Sequence, residues 1–357
     1  MSKPEWPHLD AGFAPTIDIE PRGQTPGFTH VWESDSVWAI RAALGARRPL
    51  LVLGEPGTGK SQLARAAARA LKRPLISEVI MSRTEPQDLH YRFDAVARLG
   101  QAQVLGLANK ARRVDDPDAP ASPLSQLDER CFLLPGPLWW VFNWESARIQ
   151  RQSASLKGPM PELPPEAWHW TPAKGCVLLL DEIDKADSDL PNGLLESLGQ
   201  GDFQVPYLSE PVRCSASDAP PLVIITSNQE RELPAAFLRR CLVLKLSLPS
   251  EPAALRERLI ERGRAHFGSR CADAVYLEAA QQIATDREPA AGSSDAGAGE
   301  HRPGQAEYLD LLRAVLEIVG PAEASTVGGN DGAFAQKQLD VLKSIRDFAL
   351  DKRAPLL

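Results

Sequence analysis

The chain has 357 residues, of which 43% are hydrophobic and 24% are charged. This length accommodates about two domains, and this composition excludes a wholly disordered chain. The net charge of −7 argues against a protein that coats nucleic acid, so we expect no direct contact with nucleic acid.

The sequence predicts a cytoplasmic protein that does not enter a membrane. Its purely apolar runs, such as Cys176–Leu180, are far shorter than the roughly 20 residues that cross a bilayer. The first residues carry no apolar stretch of the kind that a secretory signal needs. The five cysteines lie far apart and form no CxxC pair, which is typical of reduced thiols in the cytoplasm.

After an extended arm predicted over residues 1–27, the chain alternates short apolar strands with helices as far as residue 249. The predicted strands are Pro49–Leu53, Pro74–Ile80, Val177–Leu180, Leu222–Thr226 and Leu242–Leu246. The predicted helices are Asp35–Ala46, Lys60–Lys72, Thr84–Ala111, Leu190–Leu198 and Pro234–Arg240. This alternation is typical of a parallel sheet covered by helices on both faces, and we expect an α/β core over residues 28–249.

An insertion interrupts this core at about residues 112–174. Residues 115–127 form a polar, proline-rich loop, and residues 128–174 are predicted to be irregular. Five of the eight tryptophans lie there, most of them in the run Pro137–Trp144. Exposed rings in this run would grip a polypeptide or dock a partner, whereas rings packed on Trp168 and Trp170 would form a local core. We favour packing for most of the rings.

Beyond Pro249 the sequence indicates helices only. The predicted helices are Pro252–Phe267, Ala272–Asp286, Ala306–Val319 and Gln336–Leu350. The tract Glu288–Glu300, rich in Gly, Ala and Ser, is typical of a linker. We therefore predict a second, all-helical domain over residues 250–357.

A glycine-rich turn joins the first strand of the core to the following helix. It fits the pattern GxxxxGK[ST] with the residues Gly54, Glu55, Pro56, Gly57, Thr58, Gly59, Lys60 and Ser61. Glycine permits a backbone that wraps around phosphate with its N–H groups pointing inward, and the next helix directs its positive end at the anion. Lys60 is expected to reach the β- and γ-phosphates of a nucleotide, and the Ser61 hydroxyl to bind Mg²⁺.

Polar side chains follow two other apolar strands. Asp181 and Glu182 end the strand that starts at Val177, and Asn228 follows the strand that starts at Leu222. At such a strand end Asp181 suits the water shell of a metal ion, while Glu182 suits a water that attacks phosphate. Asn228 is expected near the γ-phosphate and that water.

Two adjacent arginines, Arg239 and Arg240, precede the last strand of the core. An arginine in this place can reach the γ-phosphate of a neighbouring subunit and neutralise charge in the transition state. A solvated basic pair without such a role is the alternative interpretation.

The order of these motifs resembles AAA+ ATPases of the MoxR type, close to the dynein-related subgroup. The resemblance covers roughly residues 30–250 and is carried by the phosphate loop, Leu180–Ala186, Thr226–Asn228 and Glu232–Arg240. It implies an α/β P-loop core with a helical lid that binds ATP and Mg²⁺ and hydrolyses ATP.

The resemblance also implies residue roles. The metal-coordinating acid falls on Asp181, the water-activating glutamate on Glu182 and the sensor-1 asparagine on Asn228. The arginine finger falls on Arg240, with Arg239 as the rival. Such proteins form rings, usually hexamers with sites shared between neighbours, and act as chaperone-like remodelling machines on a protein substrate. A protein with a von Willebrand factor A domain is often the partner.

One position departs from the pattern. The lid helix of this family carries a sensor-2 arginine near its start, but Gln305 or Ala306 occupies that place and Arg302 is only nearby. Two other functions stay open, and this departure favours the first of them. One is a nucleotide-gated switch that barely turns over, and the other is a motor subunit of a defence or restriction-type complex.

Overall fold

The computed structural model describes residues 15–21, 26–111, 127–154, 158, 160–161, 163, 170–215, 218–287, 302–320 and 331–350. The linker tract 288–300, nearly all of the loop 115–127, and residues 1–14 and 22–25 of the predicted arm lie outside this part of the chain.

The strands are β1 (Thr16–Ile19), β2 (Phe28–Val31), β3 (Leu50–Gly54), β4 (Leu75–Val79), β5 (Tyr91–Phe93), β6 (Leu133–Pro135), β7 (Val177–Asp181), β8 (Asp202–Phe203), β9 (Val212–Arg213), β10 (Leu222–Ser227) and β11 (Leu242–Leu246).

The helices are α1 (Ser34–Ala46), α2 (Lys60–Leu71), α3 (Pro86–His90), α4 (Ala95–Ala111), α5 (Pro137–Phe142), α6 (Trp144–Ser153), α7 (Asp189–Gln200), α8 (Ala235–Leu238), α9 (Pro252–Phe267), α10 (Asp273–Arg287), α11 (Gln305–Val319) and α12 (Asp331–Leu350). None of these described helices combines the length and the apolar character needed to span a bilayer.

Two compact units make up the described chain. One contains the described residues of 37–52 and 67–244, and the other those of 10–36, 53–66 and 245–357. The phosphate-loop segment 53–66 therefore belongs to the same unit as the C-terminal helices. The predicted domain boundary at residues 249–250 stays a prediction.

The central sheet has five strands in the order β11-β3-β10-β7-β4. Strand β7 pairs in parallel with both β10 and β4, with Val177 opposite Leu222 on one side and Leu75 on the other. Strand β10 is buried along its whole length, as apolar residues on both faces of a covered parallel strand require. The predicted α/β class, with a parallel sheet flanked by helices and a helical C-terminal region, is confirmed.

The helix predicted over Thr84–Ala111 is interrupted. Helix α3 ends at His90, strand β5 follows, and α4 begins at Ala95. Strand β5 pairs antiparallel with β6, which lies about 40 residues later in the chain, and Tyr91 faces Pro135. The prediction of a mostly helical segment is confirmed by α3 and α4, but it missed β5 because this distant partner supplies backbone hydrogen bonds that local propensity does not reveal.

The segment predicted as irregular, 128–174, contains strand β6 and the two helices α5 and α6. Helix α5 is built almost entirely of buried apolar residues, and Trp139 is completely buried with its indole N–H donating to Ser146 Oγ at 3.0 Å. Trp144 packs edge-on against Trp140 at 5.0 Å and Trp170 at 4.7 Å between ring centroids. The rings of this run therefore form a local core, and Trp168 lies outside the described residues.

Part of the predicted N-terminal arm is a paired strand. Strand β1 pairs antiparallel with β2, with Thr16 opposite Val31. In the same unit, Arg262 of α9 donates to the Val31 carbonyl oxygen at 2.5 Å and to Glu33 at 2.6 Å. These bonds attach the β1–β2 pair to the C-terminal helices.

The helices α9 to α12 share one apolar core. Its fully buried centre includes Leu259, Tyr276, Tyr308 and Leu342. Gly263 of α9 faces the two tyrosines, and a Cβ at this position would lie 2.8 Å from both Tyr276 Cδ1 and Tyr308 Oη. The close approach of α9 to these rings thus depends on glycine.

We predict that Gly263→Ala destabilises this helical unit by about 1–3 kcal/mol, because the added methyl group overpacks the two buried rings. Urea denaturation should show a lower midpoint. Gly332→Ala in α12 is the matched control, since a Cβ there meets nothing within 4 Å. An unchanged midpoint for Gly263→Ala would contradict the packing described.

Candidate nucleotide site

The phosphate loop starts at the last residue of β3 and runs into α2. Gly57 has φ +77° and Gly59 has φ +90°, both in the region that favours glycine. A Cβ on Gly54 would lie 2.4 Å from the carbonyl oxygen of Leu246, so this residue is also restricted to glycine. The backbone therefore has the conformations that a phosphate cradle needs, in the positions that the motif predicts.

Lys60 is the first residue of α2 and is buried. Its ammonium group donates to the carbonyl oxygens of Gly54 at 2.8 Å and Glu55 at 2.9 Å. The Thr58 hydroxyl also donates to Glu55 O, at 2.8 Å. The lysine is thus held over the loop that precedes it, at the amino end of a helix where an anion is favoured.

A small pocket borders the loop within the same unit. Its lining includes Thr58 and Gly59 of the loop together with His30 and His266. Burial, followed by the charge of Arg262, lowers the pKa of His30 to about 3. Burial is also the main cause that lowers the pKa of His266 to about 4. Both imidazoles are therefore neutral at pH 7, and the positive charge on the loop itself comes from Lys60.

In the other unit, the ends of β7 and β10 are joined through Thr226. This residue is completely buried. Its hydroxyl donates to Asp181 Oδ1 at 2.5 Å and accepts a hydrogen bond from the Glu182 main-chain N–H at 2.9 Å. One hydroxyl thus contacts the carboxylate of Asp181 and the main chain of Glu182. The sequence pattern predicts no role for Thr226. Its position two residues before Asn228 was the feature that could have indicated one.

Glu182 has φ +62° and ψ +48°, a left-handed conformation that is uncommon for a residue with a side chain. Its carboxylate forms an ion pair with Lys185 at 2.5 Å, with side chains 30% and 43% exposed. This contact raises the pKa of Lys185. Uncommon backbone conformations concentrate at functional sites, so the geometry of Glu182 is consistent with its predicted role.

Asn228 is placed by a buried acid. Asp184, only 1% exposed, accepts hydrogen bonds at Oδ2 from the main-chain N–H groups of Asn228 at 3.1 Å and Glu230 at 2.9 Å. The Asn228 amide donates weakly to Glu230 at 3.4 Å. Asp184 therefore holds the loop after β10, a task that the spacing of the acidic residues did not reveal.

Arg239 and Arg240 follow the short helix α8, and both are exposed. Within the described part of the chain neither guanidinium forms an ion pair. Two unpaired cations on the surface fit the predicted presentation of an arginine to another subunit and equally fit a solvated basic pair.

Neither residue at the predicted sensor-2 position, Gln305 or Ala306, carries a positive charge. Gln305 begins α11 and is buried, and a Cβ on Gly57 would lie 3.0 Å from the Cβ of Ala306. Arg302 is exposed. The first turn of α11 therefore lies against the phosphate loop, where Ala306 and Glu307 face Gly57.

Two residues that the sequence predicts as metal ligands, one in each unit, carry oxygen donors. Ser61 offers a hydroxyl and Asp181 a carboxylate, the oxygen ligands that Mg²⁺ prefers alongside phosphate oxygens. Among the described residues no group of three or more His, Cys, Asp or Glu side chains is arranged to hold a metal ion by itself. Each of the two side chains has the chemistry expected of a ligand for Mg²⁺ bound together with phosphate.

Comparison with protein families identifies residues 49–241, more than half of the chain, as an AAA domain of the dynein-related subfamily. The chain belongs to this family. Membership implies, at a general level, a nucleotide-hydrolysing ATPase, and it agrees with the parallel sheet and the phosphate loop described above.

Two further similarities are more distant. The chain is 33% identical over 87 residues to the archaeal Lon protease of Methanothermobacter thermautotrophicus. The matched stretch covers 24% of this chain and 14% of that protein. A solved structure of a RuvB mutant from Thermotoga maritima aligns over 87% of this chain and 68% of its own, with 13% identity and a TM-score of 0.39. The chain thus spans about one seventh of the length of the Lon relative.

We predict that Thr226→Val lowers the turnover of ATP by about ten- to a hundredfold, since a small misplacement of a catalytic group has effects of this order. Valine keeps the shape of the side chain but removes the hydroxyl that fixes Glu182. The affinity for nucleotide should change little.

Steady-state hydrolysis and equilibrium binding of nucleotide measure the two effects separately. Thr226→Ser retains the hydroxyl and is the matched control, for which we expect nearly normal turnover. Normal turnover in Thr226→Val would show that this hydroxyl does not position the site.

Proposed function

We propose that this protein is a MoxR-type AAA+ ATPase that hydrolyses ATP in a Mg²⁺-dependent reaction and remodels a protein partner. The observation that supports the proposal is the pair of hydrogen bonds of Thr226, which hold the carboxylate of Asp181 and the main chain of the adjacent Glu182. A protein that only binds nucleotide has no need for the second carboxylate.

Each residue has a proposed task. The N–H groups of the phosphate loop and Lys60 bind the β- and γ-phosphates, and Ser61 and Asp181 hold Mg²⁺. When bound, Mg²⁺ neutralises charge on the phosphate oxygens. Glu182 accepts a proton from the attacking water, and Asn228 orients that water.

The ion pair between Glu182 and Lys185 must open for this step, because the ammonium group otherwise occupies the carboxylate oxygen that would accept the proton. The pair is partly exposed, so opening it costs little. We infer that the protein rests with Glu182 held and becomes competent when a bound nucleotide offers a water molecule in its place.

We also propose self-assembly into a ring, with a hexamer as the expected size. The two exposed and unpaired arginines support this proposal, since an arginine finger has to be free within its own subunit. The proposed partner is a protein with a von Willebrand factor A domain, and the proposed substrate is a protein. The net charge of −7 favours a protein over nucleic acid as the direct contact. A cytoplasmic location fits the free state of the cysteines.

A nucleotide-gated switch is the second candidate function. The absence of an arginine at the first turn of α11, where Ala306 contacts the loop, favours it. A motor subunit in a multi-protein defence complex would share the same site and differ only in its partner.

We predict that Arg240→Ala lowers ATP hydrolysis by at least about a hundredfold, since an arginine finger contributes about 10³–10⁵ to the rate. Nucleotide binding should persist, because the finger belongs to the neighbouring site. Arg239→Ala is the matched control, for which we expect turnover close to that of the native protein.

Mixing two inactive variants tests whether the site is shared. Glu182→Gln lacks the base but offers Arg240, and Arg240→Ala lacks the finger but retains the base. Assembled together, they should regain part of the hydrolysis that each lacks alone. Normal hydrolysis by Arg240→Ala, or loss in Arg239→Ala instead, would contradict the assignment of the finger.

A further inference from the structure

An ion pair joins the phosphate loop to the end of a helix more than 200 residues away. Arg287, the last residue of α10, places Nη2 2.7 Å from Glu55 Oε2. The arginine side chain is only 14% exposed, whereas Glu55 is 53% exposed. Both residues belong to the unit that contains the loop and the C-terminal helices.

Arg287 is held from a second side. Its Nη1 donates to the carbonyl oxygen of Pro303 at 3.0 Å. Pro303 immediately precedes Gly304, the N-cap of α11, whose N–H donates to Glu307 at 2.9 Å. The guanidinium therefore bridges the segment that begins α11 and the phosphate loop, and its side chain is fixed before any ligand binds.

Glu55 is an unfavourable neighbour for a triphosphate. Its carboxylate belongs to the loop that is expected to surround phosphate, and its carbonyl oxygen accepts a hydrogen bond from Lys60. Like charges at short range repel, and an uncompensated carboxylate here would weaken anion binding. The positive charge of Arg287 offsets the repulsion between the Glu55 carboxylate and a triphosphate, while Glu55 stays in the loop.

The position of Arg287 also bears on the missing sensor-2 arginine. At the first turn of α11 the contact with the loop is made by Ala306, and Arg302 is exposed. The helical region instead contributes a cation to the loop through Arg287, at the end of α10.

We propose that Arg287 is a positioning residue for nucleotide binding, which neutralises Glu55 and holds the start of α11 on the phosphate loop. The proposal rests on the proposed function, because it requires that the loop binds a nucleotide. Arg287 acts through Glu55, so removing the carboxylate should make the arginine largely dispensable for affinity.

The test is a double-mutant cycle on the full chain. The dissociation constant of a fluorescent ATP analogue with Mg²⁺ is measured for the native protein, Arg287→Ala, Glu55→Gln and the double variant. We expect about tenfold weaker binding for Arg287→Ala, which corresponds to about 1.4 kcal/mol. In the Glu55→Gln background the same arginine substitution should change the dissociation constant by less than about threefold, because the arginine then has no carboxylate to neutralise.

Three outcomes would overturn the proposal. Native affinity in Arg287→Ala would show that the charge on Glu55 does not matter. A double variant as weak as Arg287→Ala would show that the arginine only stabilises the fold, a role that Glu55→Gln cannot rescue. No binding by the native protein would overturn both this proposal and the proposed function.

Arg287→Lys separates charge from shape. A lysine restores the positive charge but not the second hydrogen bond to Pro303, so we expect affinity between those of the native protein and Arg287→Ala. Thermal unfolding of every variant provides the control for folding, and an Arg287→Lys protein that is folded but as weak as Arg287→Ala would contradict neutralisation as the mechanism.

Discussion

The two proposed catalytic carboxylate residues, Asp181 and Glu182, depend on the hydrogen bonds of the Thr226 hydroxyl. It links two neighbouring strands of the sheet by donating to Asp181 and accepting from the main chain of Glu182. Because the hydroxyl is completely buried, it cannot exchange these partners for water without cost. This bond holds the main chain of Glu182 in its left-handed conformation. The point from which the Glu182 side chain extends is therefore fixed.

The phosphate loop is constrained in a different way, through the places where only glycine fits. Gly54 approaches the main chain of β11, and Gly57 faces the first turn of α11. The helical region therefore contributes to the surroundings of the loop through close packing and through the Arg287–Glu55 pair. A change in the conformation of the loop would therefore alter its contacts with these helices.

The sequence was sufficient for the parts of the fold and site that are encoded locally. The apolar strands and the glycine-rich turn appeared where they were predicted, because strand burial and positive φ impose residue types at fixed spacing. Strand β5 was missed because its partner lies 40 residues away, and helices α5 and α6 were missed because their aromatic residues read as an irregular insertion. The roles of Thr226 and Arg287 depend on contacts between distant segments, which no local pattern records.

The proposed ATPase site is completed by a neighbouring subunit, and the measurement that decides this is the solution mass of Glu182→Gln with and without ATP and Mg²⁺. This variant lacks the water-activating carboxylate and should retain bound ATP. We predict a shift from a small species to a ring of about six protomers when ATP is added, as nucleotide that bridges subunits stabilises the assembly by mass action. A monomer under both conditions, in a protein that binds ATP, would contradict a site shared within a ring of this chain alone.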